Sequence, residues 1–212
     1  MTVVRDDRVL PVVHVISDEQ SLHRADFVAK AAALLRSGGG RVAIHLRGHT
    51  TGGGVLERVA RALTPAREEG GWLVINDRVD VAGVAAADGL QLGRRSLPRD
   101  VVRRLAPACA LGASVHDLEG AEAAIDADWL VLGTIYETPS HPGRRGAGLA
   151  HAARVAKAVD RPVVAIGGIT PDRAQRLRAV GAAGVAVSSG IWGARDSLAA
   201  LEEYLAAWER AA

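Results

Sequence analysis

The 212 residues are 49% hydrophobic, yet four Trp, two Tyr and one Phe are the whole aromatic complement, so Ala, Val and Leu must fill the interior. The net charge is +2, and the basic residues are almost all Arg (Lys30 and Lys157 are the two lysines), mixed with acids along the chain, which argues against the basic, aromatic-interleaved stripe of a nucleic-acid binder. One cysteine, Cys109, excludes an internal disulfide framework, no apolar run reaches the ~18 residues of a membrane span, and MTVVRDDRVLPVV lacks a signal-peptide pattern; a soluble, cytoplasmic chain with neither nucleic acid nor membrane as partner is expected.

The first β-branched run is PVVHVIS, in which His14 stands mid-strand among apolar residues and reads as a hydrogen-bonded structural histidine. RADFVAKAAALLRSGG follows, with Phe27, Ala31, Leu34 and Leu35 on one helical face and Gly38 as the stop. Next comes RVAIHLR, where alternation puts His45 and Arg47 on the same side, and then the glycine-rich GHTTGGG. GWLVIND ends on Asn76 and Asp77, and DGLQLG carries Gln91. CALGASV begins with Cys109, read as a buried inert thiol, and runs into GASVHDLEG, where Ser114 and His116 share one face of a strand end before a helix starts. DWLVLG precedes TIYETPSHPGRRGAGL, a long connection of the lid type that offers Thr138, Ser140 and His141 to a ligand. RPVVAIGG and AGVAVSSG are the last two runs. Between them TPDRAQRLRAVGA has Thr170 as a cap and Pro171 at the first helical position, and SLAALEEYLAAWERAA closes the chain.

Eight such runs alternating with helical segments predict a parallel sheet and a single (β/α)8 TIM barrel over residues 1–212. The alternative is an open doubly wound sheet, and pairing of the first and eighth strands separates the two. In a barrel the active site lies at the C-terminal strand ends. There AIGGITPD and GVAVSSGIWG place Gly167, Gly168, Ser188 and Ser189 at the two strand ends where bare amides commonly hold phosphate. A phosphorylated small ligand is expected. The seven histidines show no close metal-ligand spacing, so no metal site is expected.

VHVISD, HLRGHT, LVINDRVDVA, ADGLQLG, SVHDLEGA, DWLVLGTIYETPSHPG, VVAIGGITPDR and GVAVSSGI, in that order, resemble the superfamily of thiamine phosphate synthase and the TenI-type thiazole tautomerases, from about Val12 to Trp192. The resemblance implies a (β/α)8 barrel. For a synthase it also implies an Arg, two Lys and Mg²⁺ on two Asp to hold a diphosphate. Arg47 matches the Arg, Asn76 a pyrimidine contact and Asp77 one metal ligand, whereas Ser96 replaces the second metal ligand and His49 and His141 stand at the two Lys positions. HLR, SVHDLE and the YETP loop look closer to the tautomerase branch.

On this resemblance the expected activity is a metal-independent and cofactor-free isomerisation that aromatises a carboxythiazole phosphate. His116 would shuttle the proton. His45, Arg47, Asn76, Ser114, Thr138 and Ser140 would contact the substrate, with Arg47 orienting its carboxylate, or else paired with Asp18 or Asp77. The alternatives are a synthase joining pyrimidine diphosphate to thiazole phosphate, and a non-catalytic relative that binds the thiazole phosphate. The partner is a small phosphorylated thiazole, and a homo-oligomer is left open.

Overall fold

The computed structural model describes Thr2, Val4, residues 8–138, Gly143 and residues 145–210. Eight strands alternate with helices in the order β1 (Val13–Ile16), α1 (Glu19–Leu22), α2 (Phe27–Gly38), β2 (Val42–Leu46), α3 (Gly53–Arg67), β3 (Trp72–Asn76), α4 (Val79–Val84), β4 (Gly89–Leu92), α5 (Arg99–Leu105) and β5 (Ala110–Val115), continuing with α6 (Leu118–Ala123), β6 (Trp129–Gly133), α7 (Leu149–Ala158), β7 (Val163–Ile166), α8 (Pro171–Ala179), β8 (Gly184–Val187), α9 (Ser189–Trp192) and α10 (Ser197–Glu209). All neighbours pair in parallel, and β1 pairs with β8 through Val13↔Val185 and Val15↔Val187, so the sheet closes. That excludes the open doubly wound sheet. All eight strand runs of the sequence lie where the strands form. The end of α2 lies one residue later than the expected stop: Gly38 is its last helical residue, and Gly39 is the cap.

Strands buried on both faces need apolar residues at nearly every position, which the Val/Ile/Leu/Ala runs supply. The larger core lies between sheet and helices, where Phe27, Leu34 and Leu35 of α2 and Leu56 and Leu63 of α3 are fully buried. A second core fills the barrel itself, built on Ile16, Ala43, Val74, Val131 and Val164 with Trp72 and Trp129. Trp129 fits because Gly112 on the neighbouring strand has no side chain; a Cβ there would lie 2.3 Å from the indole. At the opposite end of the barrel from the strand C-termini, Asp88 and Asp128 each accept the backbone N–H at the start of an adjacent stretch, Leu73 and Leu111, at 2.7 Å. Arg67 and Arg103 pair with these two carboxylates, at 3.3 and 2.9 Å. The repeated Ala-Asp before β4 and β6 is therefore a register lock. Cys109 is buried, its Sγ 3.3 Å from the Ala87 carbonyl oxygen. Among the described residues no helix is long and apolar enough to cross a membrane.

Candidate active site

A pocket of about 580 Å³ opens at the C-terminal strand ends. Its wall includes Arg47, Asn76, Gln91, Ser114, His116 and Thr138, and it continues to Gly167, Gly168, Ser188, Ser189 and Gly190. The barrel thus brings His116, Arg47, Asn76, Ser114, Thr138 and all four residues of the expected phosphate cradle to one cavity. Two expected contacts fall elsewhere. His45 is fully buried beneath the pocket and reaches it only through Asn76, because its ring points into the barrel interior. Ser140 lies outside the described residues, as does His141.

The cradle is backbone held in an unusual conformation. Gly167 and Gly168 have φ of 105° and 60°, where a side chain is strained, and a Cβ on Gly168 would lie 2.4 Å from the Glu137 carbonyl oxygen. Its surroundings are fastened from several elements. Arg173 of α8 donates to the Gly168 carbonyl at 2.6 Å and stacks over Tyr136 at 4.4 Å. The Tyr136 N–H donates to the Gly167 carbonyl at 3.0 Å. Tyr204 of α10 donates its hydroxyl to the Ile169 carbonyl at 2.8 Å and lies against Gly190, whose Cβ would meet that hydroxyl at 2.5 Å. Trp192 donates to the Ile16 carbonyl at 2.9 Å, fixing the segment after β8 to the end of β1. The first N–H groups of a helix have no intrahelical acceptor, so Ser189 and Gly190 present donors where Gly168 bends the opposite lip. Arg173, Tyr204 and Trp192 have no chemical motif that a sequence reader would single out; only the packing reveals their roles.

The β2 end is built differently. The Arg47 N–H donates to the buried Ser17 hydroxyl at 2.8 Å, which fixes the backbone. The Arg47 guanidinium lies 2.6 Å from His49 Nε2, and among the described residues it forms no ion pair with Asp18, Asp77 or any other carboxylate. It is therefore available to an anion. The following turn is organised by Glu19, whose carboxylate accepts the His49 N–H at 2.8 Å and the Thr50 and Thr51 hydroxyls at 2.7 and 2.6 Å. Those hydroxyl bonds, Thr51 first, lower its pKa to about 2.

His116 holds its ring by Nδ1, 2.5 Å from the Gly133 carbonyl oxygen, so Nδ1 donates and Nε2 remains available. Asp117 caps α6 by accepting the Gly120 N–H at 2.8 Å, which explains a polar joint at the end of β5. Asp77 does not line the pocket: its Oδ1 accepts the Gly93 N–H at 3.2 Å and, closely, the Ser96 hydroxyl. Among the described residues no group of three His, Cys, Asp or Glu side chains is placed to hold a metal. One carboxylate closing its own turn, with a hydroxyl beside it, does not fit the two-carboxylate Mg²⁺ set that the resemblance implies.

Residues 13–191 match the family model described as thiamine monophosphate synthase. A thiamine-phosphate synthase of Roseiflexus castenholzii is 39% identical over 194 residues, which cover 89% of this chain and 84% of the relative. That of Pyrococcus furiosus is 34% identical, covering 90% and 91%. The solved thiamine phosphate pyrophosphorylase of Pyrococcus furiosus superposes with a TM-score of 0.84 at 32% identity, over 96% of this chain and 98% of that one. These relatives overturn the tautomerase expectation. It rested on three short pieces at strand ends and on the missing Lys and Asp groups, whereas similarity to transferases extends over nearly the whole barrel.

Proposed function

The chain belongs to the thiamine monophosphate synthase family, and on that premise we propose that it joins a pyrimidine carried as its methyl diphosphate to a thiazole phosphate, releasing pyrophosphate. The observation that carries this reading is one cavity lined on one side by a guanidinium at the end of β2, in no ion pair among the described residues, and on the other by bare amides after β7 and β8, two unlike places for an anion. Each substrate brings one anionic group, so a two-substrate reaction uses both.

In the reaction the thiazole ring nitrogen donates its lone pair to the methylene carbon attached to the pyrimidine. The bond from that carbon to the diphosphate oxygen breaks, and pyrophosphate leaves with the electron pair. No proton is gained or lost at the new bond, so the chemistry asks nothing of a general base. The cradle of Gly168, Ser189 and Gly190 holds the thiazole phosphate, and Arg47 stabilises the charge gathering on the departing diphosphate. Asn76 and Ser114 line the wall against which the flat pyrimidine lies. His116, anchored by Nδ1 to Gly133, borders the heterocycles and excludes water. Asp77 and Ser96 do not form the metal pair, and no step here runs through one.

The test is product formation from pyrimidine diphosphate and thiazole phosphate, each alone and together, with and without Mg²⁺. Thiamine phosphate and pyrophosphate should appear in equal amounts only when both substrates are present. Absence of both products under every condition, from protein shown to be folded, would overturn the assignment.

A further inference from the structure

Two hydrogen-bonded chains climb through the barrel interior to the pocket wall. The first begins at the Pro11 carbonyl, 2.9 Å from His14 Nε2. His14 Nδ1 is 2.8 Å from His45 Nε2, and His45 Nδ1 is 3.3 Å from the Asn76 amide at its Oδ1 position. Both rings are fully buried, and among the described residues no carboxylate is bonded to either. A cation there would be desolvated and unpaired. Burial lowers the pKa of His14 to about 4, and burial together with the neighbouring ring lowers that of His45.

A neutral imidazole carries one N–H, and a carbonyl only accepts. His14 must then donate from Nε2 to Pro11, which leaves Nδ1 as an acceptor. His45 must donate from Nε2 to His14, which leaves its own Nδ1 as an acceptor. That nitrogen needs a donor, and of the two ends of an amide only the NH₂ group is one. A half-turn of the Asn76 amide exchanges oxygen and nitrogen at this position. We propose that the buried His14–His45 pair are positioning residues that lock Asn76 with its NH₂ toward His45 and its carbonyl oxygen toward the pocket.

The second chain fixes the neighbouring polarity. Trp129 Nε1 only donates, and it lies 3.1 Å from Gln91 Oε1. Gln91 Nε2 then donates to Ser114 Oγ at 3.0 Å, so the Ser114 hydroxyl has its proton to give to the pocket. Asn76, Gln91 and Ser114 come from the adjacent strands β3, β4 and β5. The wall therefore presents an acceptor on one side and a donor on the other.

Given the proposed function, on which this step rests, that wall suits a heterocycle edge with an exocyclic amino group beside a ring-nitrogen lone pair. It opposes the oxo form, whose carbonyl oxygen would face the Asn76 oxygen. The locked pair is thus a device for rejecting the deaminated pyrimidine. Two acceptors forced together where the ligand shuts out water make such rejection strong, roughly 100-fold or more.

The test has two arms. In ligand-free protein labelled with ¹⁵N-histidine, long-range ¹H–¹⁵N spectra at pH 7 should show His14 and His45 as neutral Nε2–H tautomers, assigned through single variants. His45 as the Nδ1–H tautomer, or either ring doubly protonated, overturns the proposal. In the second arm, Kd is measured for an aminopyrimidine methyl diphosphate and for its oxo counterpart, in wild type and in His45→Leu. The preference for the amino form should fall at least tenfold in the variant, while the Kd for thiazole phosphate holds within about twofold. An unchanged preference in folded His45→Leu overturns the lock. Should that variant fail to fold, the tautomer spectra decide alone. The expected tautomers without binding of either pyrimidine would uphold the lock and instead defeat the assigned substrate.

Discussion

The two proposed anion positions of the pocket are built on opposite principles. At the proposed site after β7 and β8 the groups offered are backbone amides, and the half-buried Arg173 of α8 with the buried Trp192 of α9 and Tyr204 of α10 hold that backbone in place. After β2 the group offered is a partly exposed guanidinium on a turn organised by Glu19, whose side chain is about one-third exposed. Preorganised amides cost no reordering when a ligand arrives, whereas a long side chain must be ordered each time. The difference suits the proposed chemistry: one phosphate is bound alike before and after reaction, while the other gains charge and departs. On the proposed function, a preorganised cradle serves the spectator group, and a guanidinium ordered on binding serves the leaving group.

The largest effect that would break this comparison is Arg47→Ala. If Arg47 acts on the departing diphosphate, kcat should fall about 10²- to 10³-fold, as when one donor to a developing charge is removed. KM for thiazole phosphate should change less than about twofold, and Arg47→Lys should restore activity only partly, since the planar fork is lost. Steady-state kinetics with each substrate varied in turn measures this. A lost thiazole phosphate affinity with kcat intact would mean that the two positions are exchanged. The converse change is Gly168→Ala. The left-handed backbone costs about 1 kcal/mol for a side chain, and the contact with the Glu137 oxygen adds roughly 1–3 kcal/mol of overpacking. If relief comes by moving the cradle, thiazole phosphate binding should weaken about 30- to 1,000-fold, with pyrimidine diphosphate binding nearly unchanged; calorimetry on the two ligands separates them.

The barrel was legible because all eight strand runs are short, β-branched and bounded by turn residues, and closure followed from their number. The gathering of Gly167, Gly168, Ser188 and Ser189 at one pocket was legible because they stand at the ends of the last two strands. His45 was not, since alternation gives the face of a strand but not the depth along it: it shares a face with Arg47 yet sits two residues deeper, inside the barrel. Residue chemistry also misled on activity. Ser96, His49 and His141 read as the loss of a diphosphate site, but three positions weigh less than similarity along 194 residues. The bonds that set the polarity of the pocket wall join residues 31, 23 and 38 positions apart, beyond any local pattern.

The smallest expected effect concerns the turn that carries His49. In the folded chain the Glu19 carboxylate titrates at about 2 rather than at its ordinary value of 4.5, because the Thr51 and Thr50 hydroxyls and nearby N–H groups donate to its charged form. A lowered folded-state pKa means that the contribution to the ordered turn is complete above about pH 4.5 and is lost as pH falls toward about 2. Exposure to water keeps this a local matter rather than one of global stability. Amide exchange at His49 and Thr50, corrected for its intrinsic pH dependence, should therefore show protection declining through that window, while amides of β7 and β8 hold as long as the barrel is folded. Glu19→Gln should remove the decline by lowering protection already at pH 7, with less than about a threefold rise in KM for pyrimidine diphosphate. If the two sets of amides lost protection together, the β2 turn would be as firmly built as the cradle, and the contrast between a rigid spectator site and a mobile leaving-group site would fail.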